Sequence, residues 1–258
     1  MVDLDDPKRS LRKSTRVRAG QRLFARRPVP DPDVELPEPS VLFEDDDLLV
    51  LDKPPGLAIH PTATRFRATV THWLAGRARP VHRLDVETSG VLVCARGAEV
   101  ERALIGLFTT RAVRKTYLAL VEGTPDPPDW TDSTPLGFDP GAAIHFRMAR
   151  GDLPAQTRFE TLRGAGPYTL LQATPLTGRQ HQIRVHLAMA GHPVVGDKLY
   201  IDEAIFLAHT GDGLTDVQRA RLVHPRHALH AASIDFEWNG PRRFESALPP
   251  DLAQLANV

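Results

Sequence analysis

The sequence predicts an α+β fold with a central mixed, largely antiparallel sheet and flanking helices. Apolar runs of strand length, such as Leu48-Leu49-Val50-Leu51 and Val91-Leu92-Val93-Cys94-Ala95, are interspersed with amphipathic stretches of helix length. Several of these runs are separated by turns too short for a helical crossover, so the chain lacks a regular βαβ rhythm. At 258 residues, 41% hydrophobic and 25% charged, the chain can bury a sizeable core and is not of disordered composition.

Residues 1–28 carry nine basic and three acidic side chains, a net +6 on a chain whose 32 basic and 32 acidic residues cancel, which leaves −6 on the remainder. A basic arm on a near-neutral body is one footprint of a nucleic-acid partner; a solvated tail would have the same charge. The stretch 28–39, PVPDPDVELPEP, reads as an extended acidic linker. The expected division is therefore a basic arm and Pro-rich linker over 1–39 and one folded domain over 40–258. No stretch approaches the roughly 18 apolar residues of a membrane helix, and the opening MVDLDDPKRS has no signal-peptide core. The expected compartment is the cytoplasm, with no membrane partner and a monomeric chain. A single cysteine, Cys94, excludes an intrachain disulfide framework.

Val41-Leu42-Phe43 and Leu48-Leu49-Val50-Leu51 flank an acidic turn and predict paired strands. Lys53-Pro54-Pro55-Gly56 stops the second, because two prolines cannot serve a central ladder. A short helix over 69–75 starts at the Thr69 cap. The run 91–95 is a buried strand, with Cys94 a core residue. Val100, Leu104, Leu107 and Phe108 mark an amphipathic helix over 98–110. Residues 117–121 form a strand ended by Gly123, and 124–154 form a long loop or irregular hairpin. Strands at 157–162 and 168–174 pair across a Gly-rich turn. A helix is expected over 177–190, with Thr177 and Gln180 as a capping box and Gly191 as its stop. A polar helical stretch near 203–222, a strand over 228–238 and a short C-terminal helix complete the chain.

Three segments are unusually polar for their surroundings. His82-Arg83-Leu84-Asp85 feeds directly into the buried run 91–95, at a strand mouth where sites are often built. Asp85 can serve as nucleophile or base, or simply cap a turn. In the second segment, 177–186, Gln180, His181 and Arg184 would share a helix face, with Arg184 near mid-helix and able to pair with a carboxylate or phosphate. Arg114-Lys115-Thr116-Tyr117 places basic residues before an aromatic that can stack on a base or pack in the strand. His224, His227 and His230 are evenly spaced, but Pro225 breaks a helix there and no carboxylate completes a metal set, so no metal site is expected.

K-P-P-G at 53–56, HRLDxxTSG at 82–90, K-x-Y at 115–117, TGRQHQIRVHL at 177–187, GxPVVGDxxY at 191–200 and LHA at 229–231 follow one another in this order. Together they resemble the RluA-type RNA pseudouridine synthases over about residues 41–238. The resemblance implies a pseudouridine synthase catalytic fold whose sheet is split by an RNA-binding cleft. It implies conversion of uridine to pseudouridine in structured RNA, rRNA or tRNA, without cofactor or metal. By position, Asp85 falls on the catalytic carboxylate, Tyr117 on the active-site tyrosine and Arg184 on the basic partner of the carboxylate. Arg83 falls on the residue that enters RNA in place of the flipped base, and His82, Lys115, Arg179 and His181 are expected to contact RNA. The alternative is an RNA-binding or RNA-folding module with little catalysis. Two departures stand out: Gln180 occupies a position where Thr is common, and the stretch 17–23 is too short for the S4-type domain found in many members. An Arg184→Ala change is expected to harm chemistry more than stability.

Overall fold

The structure, a computed structural model, describes residues 37–61 and 67–257, together with Arg16 and the segments Val2–Asp3 (β1) and Leu23–Phe24 (β2), which pair antiparallel. Most of the expected basic arm and of its linker thus lies outside the described residues. Among the described residues no helix is long and apolar enough to cross a membrane.

The remaining strands are Ser40–Glu44 (β3), Leu48–Lys53 (β4), Arg79–Pro80 (β5), Ser89–Ala95 (β6), Arg114–Glu122 (β7), Asp129–Asp132 (β8), Leu136–Phe138 (β9), Met148–Arg150 (β10), Thr157–Ala165 (β11), Tyr168–Pro175 (β12), Leu229–Glu237 (β13) and Pro241–Glu245 (β14). The helices are Val70–Leu74 (α1), Ala98–Thr109 (α2), Gln182–Met189 (α3), Glu203–Thr210 (α4), Asp216–Leu222 (α5) and Pro250–Ala256 (α6). The main sheet runs β3-β4-β6-β13-β7-β12-β11-β8, with β5 added on β6 and β14 on β13. Every pairing in it is antiparallel except β6 with β13, a seam of only two registered pairs, His230 with Ser89 and Ala231 with Gly90. The α+β expectation is met.

The seam depends on a glycine. Gly90 has φ +109°, and a Cβ there would lie 2.2 Å from the carbonyl oxygen of Ala231, so no larger residue fits.

The runs 48–51 of β4 and 91–95 of β6 are apolar because both of their faces are covered. Leu49 and Leu51 of β4, with Leu92 and Cys94 of β6, pack toward α1; Leu48, Val50, Val91 and Val93 pack toward α2. Cys94 is a core residue, as expected, and burial pushes its thiol up to about 12. Thr69 caps α1 by accepting from the His72 N–H at 3.2 Å. On the other half of the sheet, β7, β11 and β12 pack against α3 and α6.

Three expectations need correction. Residues 124–154 contain three short strands, β8 to β10. β14 is unexpected, because Arg242, Arg243 and Glu245 around Phe244 give no apolar run. The third concerns α3, which begins at Gln182 rather than Thr177. Thr177 makes no capping box with Gln180: its hydroxyl donates to Gln182 Oε1 at 2.7 Å and accepts the Gln156 N–H at 2.9 Å. Hydroxyls near a helix start often bond locally in this way and hold the chain out of the helix.

Candidate active site

The loop 81–88 joins β5 to β6 and is fixed from below. Its Val86 carbonyl accepts from the Gly56 N–H at 2.8 Å and from Lys53 Nζ at 3.1 Å. Lys53 is fully buried, and its ammonium also donates to the carbonyls of Pro54 and Leu57. Burial lowers its pKa to about 7, against the opposing effect of Asp85. The Pro-Pro-Gly turn after β4 thus folds back under the loop that carries Asp85.

Side chains along this loop alternate in direction. Leu84 enters the core and Arg83 is exposed in the cleft. His82 forms cleft wall, but its Nε2 accepts the Val93 N–H at 3.0 Å and its ring stacks on Phe108 with centroids 4.8 Å apart. Burial, with the nearby Lys115 charge, lowers its pKa to about 3. His82 therefore braces the wall as a neutral ring, whereas the sequence suggested an RNA contact.

Arg184 joins two carboxylates. Its Nη1 donates to Asp85 Oδ2 at 2.7 Å, across 99 residues of sequence, while Nε and Nη2 grip Asp197 at 2.7 and 2.8 Å. Asp197 is fully buried and also accepts the N–H groups of Leu199 and Tyr200. This forked pairing fixes the guanidinium so that its remaining edge faces Asp85. Burial by itself would raise the Asp85 pKa; the neighbouring His181 and Arg184 outweigh it and hold the carboxyl below the ordinary range. Among the described residues nothing donates to Asp85 Oδ1. An ionised carboxylate with one oxygen held and the other open to a cleft can act as nucleophile or base.

Arg184 sits in the first turn of α3, not mid-helix, and it is buried. Its removal would strand the buried Asp197 and so cost stability as well as chemistry. His181, just before the helix, adopts φ +54° and lies outside any helical face shared with Arg184. Its Nδ1 is 2.8 Å from the Tyr200 hydroxyl and its Nε2 is 4.0 Å from Asp85 Oδ2. Gln180 turns away and donates to the Phe146 carbonyl at 3.1 Å.

The cleft has a volume of about 660 Å³, within the range of small-molecule sites. Asp85, Tyr117 and Arg184 line it, with Arg83, Lys115, Arg179 and His181. Burial raises the Tyr117 phenol above its usual range, and Asp85 adds to the shift, so the group stays protonated. Burial also lowers Lys115. Arg179 keeps part of its guanidinium on the Pro154 carbonyl, at 3.0 Å.

The block GxPVVGDxxY holds Asp197, Lys198 and Tyr200, to which the sequence alone assigns no role. The available signal was charge out of place: Asp197 and Lys198 stand between Val195 and Leu199, all buried. Lys198 Nζ donates to Glu87 Oε1 at 2.7 Å, and the His227 N–H donates to Glu87 Oε2 at 3.0 Å. The three spaced histidines have separate partners: His227 with Thr88, His230 with Ser89 and the Ser246 carbonyl, His224 with the Arg226 carbonyl. Among the described residues no group of His, Cys, Asp and Glu is arranged to hold a metal.

Residues 47–189, more than half of the chain, match the family model for RNA pseudouridylate synthase. The chain is 35% identical over 229 residues to the ribosomal large subunit pseudouridine synthase D of Nitrosomonas europaea, a match covering 83% of this chain and 63% of that protein. It is 34% identical over 266 residues to an uncharacterized RNA pseudouridine synthase of Mycobacterium bovis, covering 95% and 82%. The chain spans less than two thirds of the first curated relatives, at 63%, 63% and 62% of their lengths. Among solved structures, human RNA pseudouridylate synthase domain containing 4 matches with TM-score 0.67 and 26% identity, over 84% of this chain and 91% of that one.

Proposed function

The chain belongs to the RNA pseudouridylate synthase family, and we propose that it isomerises uridine to pseudouridine in structured RNA, with Asp85 as the catalytic carboxylate. The observation that carries this reading is the Asp85–Arg184 pair at 2.7 Å, set in a cleft beside Tyr117 and Arg83. The names of several relatives specify the ribosomal large subunit, which favours ribosomal RNA over tRNA as the substrate class.

The chemistry suits these groups. A stacked uridine must be swung out before its glycosidic bond can be reached. The exposed, planar Arg83 at the cleft would then occupy the gap. Asp85, kept ionised by Arg184, then either attacks C1′ or removes a ribose proton as the N1–C1′ bond breaks. The detached uracil turns within the cleft, C5 bonds to C1′, the C5 proton leaves and N1 gains one. Nothing is oxidised or reduced overall, so the isomerisation itself requires no redox cofactor. Tyr117 supplies a ring to stack on and a protonated phenol near the proton transfers at C5. Lys115 and Arg179 provide cationic contacts for the RNA backbone.

The test is to map pseudouridine by carbodiimide-dependent primer stops in RNA from a strain lacking the gene, then restore either the wild-type chain or Asp85→Asn. One ribosomal stop should vanish on deletion and return only with the wild type. A lost tRNA stop would move the substrate class. An unchanged map across rRNA, tRNA and mRNA would favour the RNA-binding module instead.

A further inference from the structure

Tyr200 lies outside the Asp85–Arg184 pair, yet its hydroxyl completes an ordered chain of donors and acceptors. The hydroxyl oxygen accepts the Met148 N–H at 3.1 Å, and its neighbour on the other side is His181 Nδ1 at 2.8 Å. Tyr200 is buried, and His181 is wedged edge-on between the Tyr200 and Phe146 rings. The direction of the hydroxyl–imidazole bond decides which nitrogen of His181 carries the proton.

Only one direction satisfies every group. If Nδ1–H donated to the phenol, the hydroxyl oxygen would receive two donors and its own proton would have no acceptor among the described residues. The lone pair on Nε2 would then face the ionised Asp85 carboxylate at 4.0 Å. If the phenol donates to Nδ1, its proton is used and the ring proton sits on Nε2, directed at Asp85. Burial also keeps the ring neutral at physiological pH, with a pKa lowered to about 4.

We propose that Tyr200 is a positioning residue that fixes His181 as its Nε2–H tautomer, and that this N–H, paired with Asp85, receives the 2′-hydroxyl of the target ribose. The proposal rests on the synthase reading for its substrate. The 4.0 Å between Nε2 and Oδ2 is too long for a direct hydrogen bond. It suits one bridging atom that accepts from Nε2–H and donates to the carboxylate, which is the property of a hydroxyl. Within an RNA chain an internal nucleotide has a single free hydroxyl, at the 2′ position. The site would thereby recognise ribose at the atom next to the bond that breaks.

Substitution at His181 separates the two nitrogens, since a Gln amide reaches the place of Nε2 and an Asn amide that of Nδ1. His181→Gln should keep kcat/KM within about tenfold of wild type, and His181→Asn should lose about a hundredfold or more. Backbone preference runs the other way, because Asn tolerates the positive φ better, so a Gln advantage cannot come from the fold. Two-bond proton–nitrogen spectra of the full chain labelled at histidine, assigned with His181→Gln, should show Nε2–H in the wild type and a tautomer mixture in Tyr200→Phe. A 2′-deoxyuridine at the target should cost the wild type about tenfold or more and His181→Asn much less. An Nδ1–H wild-type ring, an Asn variant as active as Gln, or equal deoxy penalties in both proteins would each overturn the proposal. Because the spectra are recorded on the free protein, they decide the tautomer even if no RNA proves to be a substrate, a result that would count against the synthase reading alone.

Discussion

Asp85 and Glu87 lie on the same loop, each with its pKa held below the ordinary range and each bound to a buried cation. Their surroundings differ in one respect. Both oxygens of Glu87 are taken, one by Lys198 and one by the His227 N–H, and the Arg226 guanidinium that holds Asp251 also reaches the Glu87 backbone carbonyl. Asp85 has one oxygen on Arg184 and the other open to the cleft. A carboxylate with both oxygens bonded is a fastener; one with an oxygen open toward a cavity has capacity for chemistry. Ionisation and burial alone do not distinguish the two, and the count of donors does.

Four changes break or sharpen that contrast. Asp85→Asn should reduce kcat by at least about ten-thousandfold, roughly 5 kcal/mol in barrier, with a melting temperature close to wild type. An amide retaining substantial turnover in a single-turnover assay would remove Asp85 from the chemistry. Arg184→Ala should cost about 3–5 kcal/mol in stability, read by urea unfolding, because it leaves the fully buried Asp197 without its cation. Glu87→Gln is the mirror of the first change: about 2–3 kcal/mol lost as Lys198 loses its partner charge, and kcat within about tenfold of wild type. Equal damage to turnover from the two loop substitutions would erase the distinction.

The smallest effect is a pH dependence shared by both sides of the loop. Burial lowers His181 and His227 to about 4 in the folded chain, against about 6.5 when unfolded. Between those values the unfolded state binds more protons, so stability is present above the unfolded pKa and falls as the solution is acidified toward 4. At pH 5.5 the loss should be about 1 kcal/mol for each histidine, measured by urea unfolding at pH 7.5 and 5.5. His227→Gln should flatten the difference by its share.

Much of this molecule is legible in its residues. The apolar runs of β4 and β6, the Thr69 cap and the amphipathic α2 follow from local pattern, because each is decided by periodicity or one side-chain bond. The start of α3 is not, since Thr177 and Gln182 are drawn to Gln156 and Thr157 on other elements. The same holds at the site. Asp85, Tyr117 and Arg184 stand in segments whose polarity is conspicuous and whose order resembles a known family. Asp197, Lys198 and Glu87 show their purpose only when the fold sets each against its partner. His82 misleads for the converse reason: a polar residue in a polar block is turned inward by the Val93 N–H.

The two-pair seam at Gly90 bears on when the site comes into existence. Asp85 precedes the seam on one half of the sheet, whereas Tyr117 and Arg184 belong to the other, and Asp85 and Arg184 are separated by 99 residues. Each half contains a local hairpin, β3–β4 in one and β11–β12 in the other, that can form early in folding. The Asp85–Arg184 contact requires closure of a long loop and docking of one half on the other through a strand register that tolerates no Cβ at residue 90. A half-assembled chain would hold either the carboxylate or its guanidinium, so the Asp85–Arg184 pair exists only once the two halves are docked.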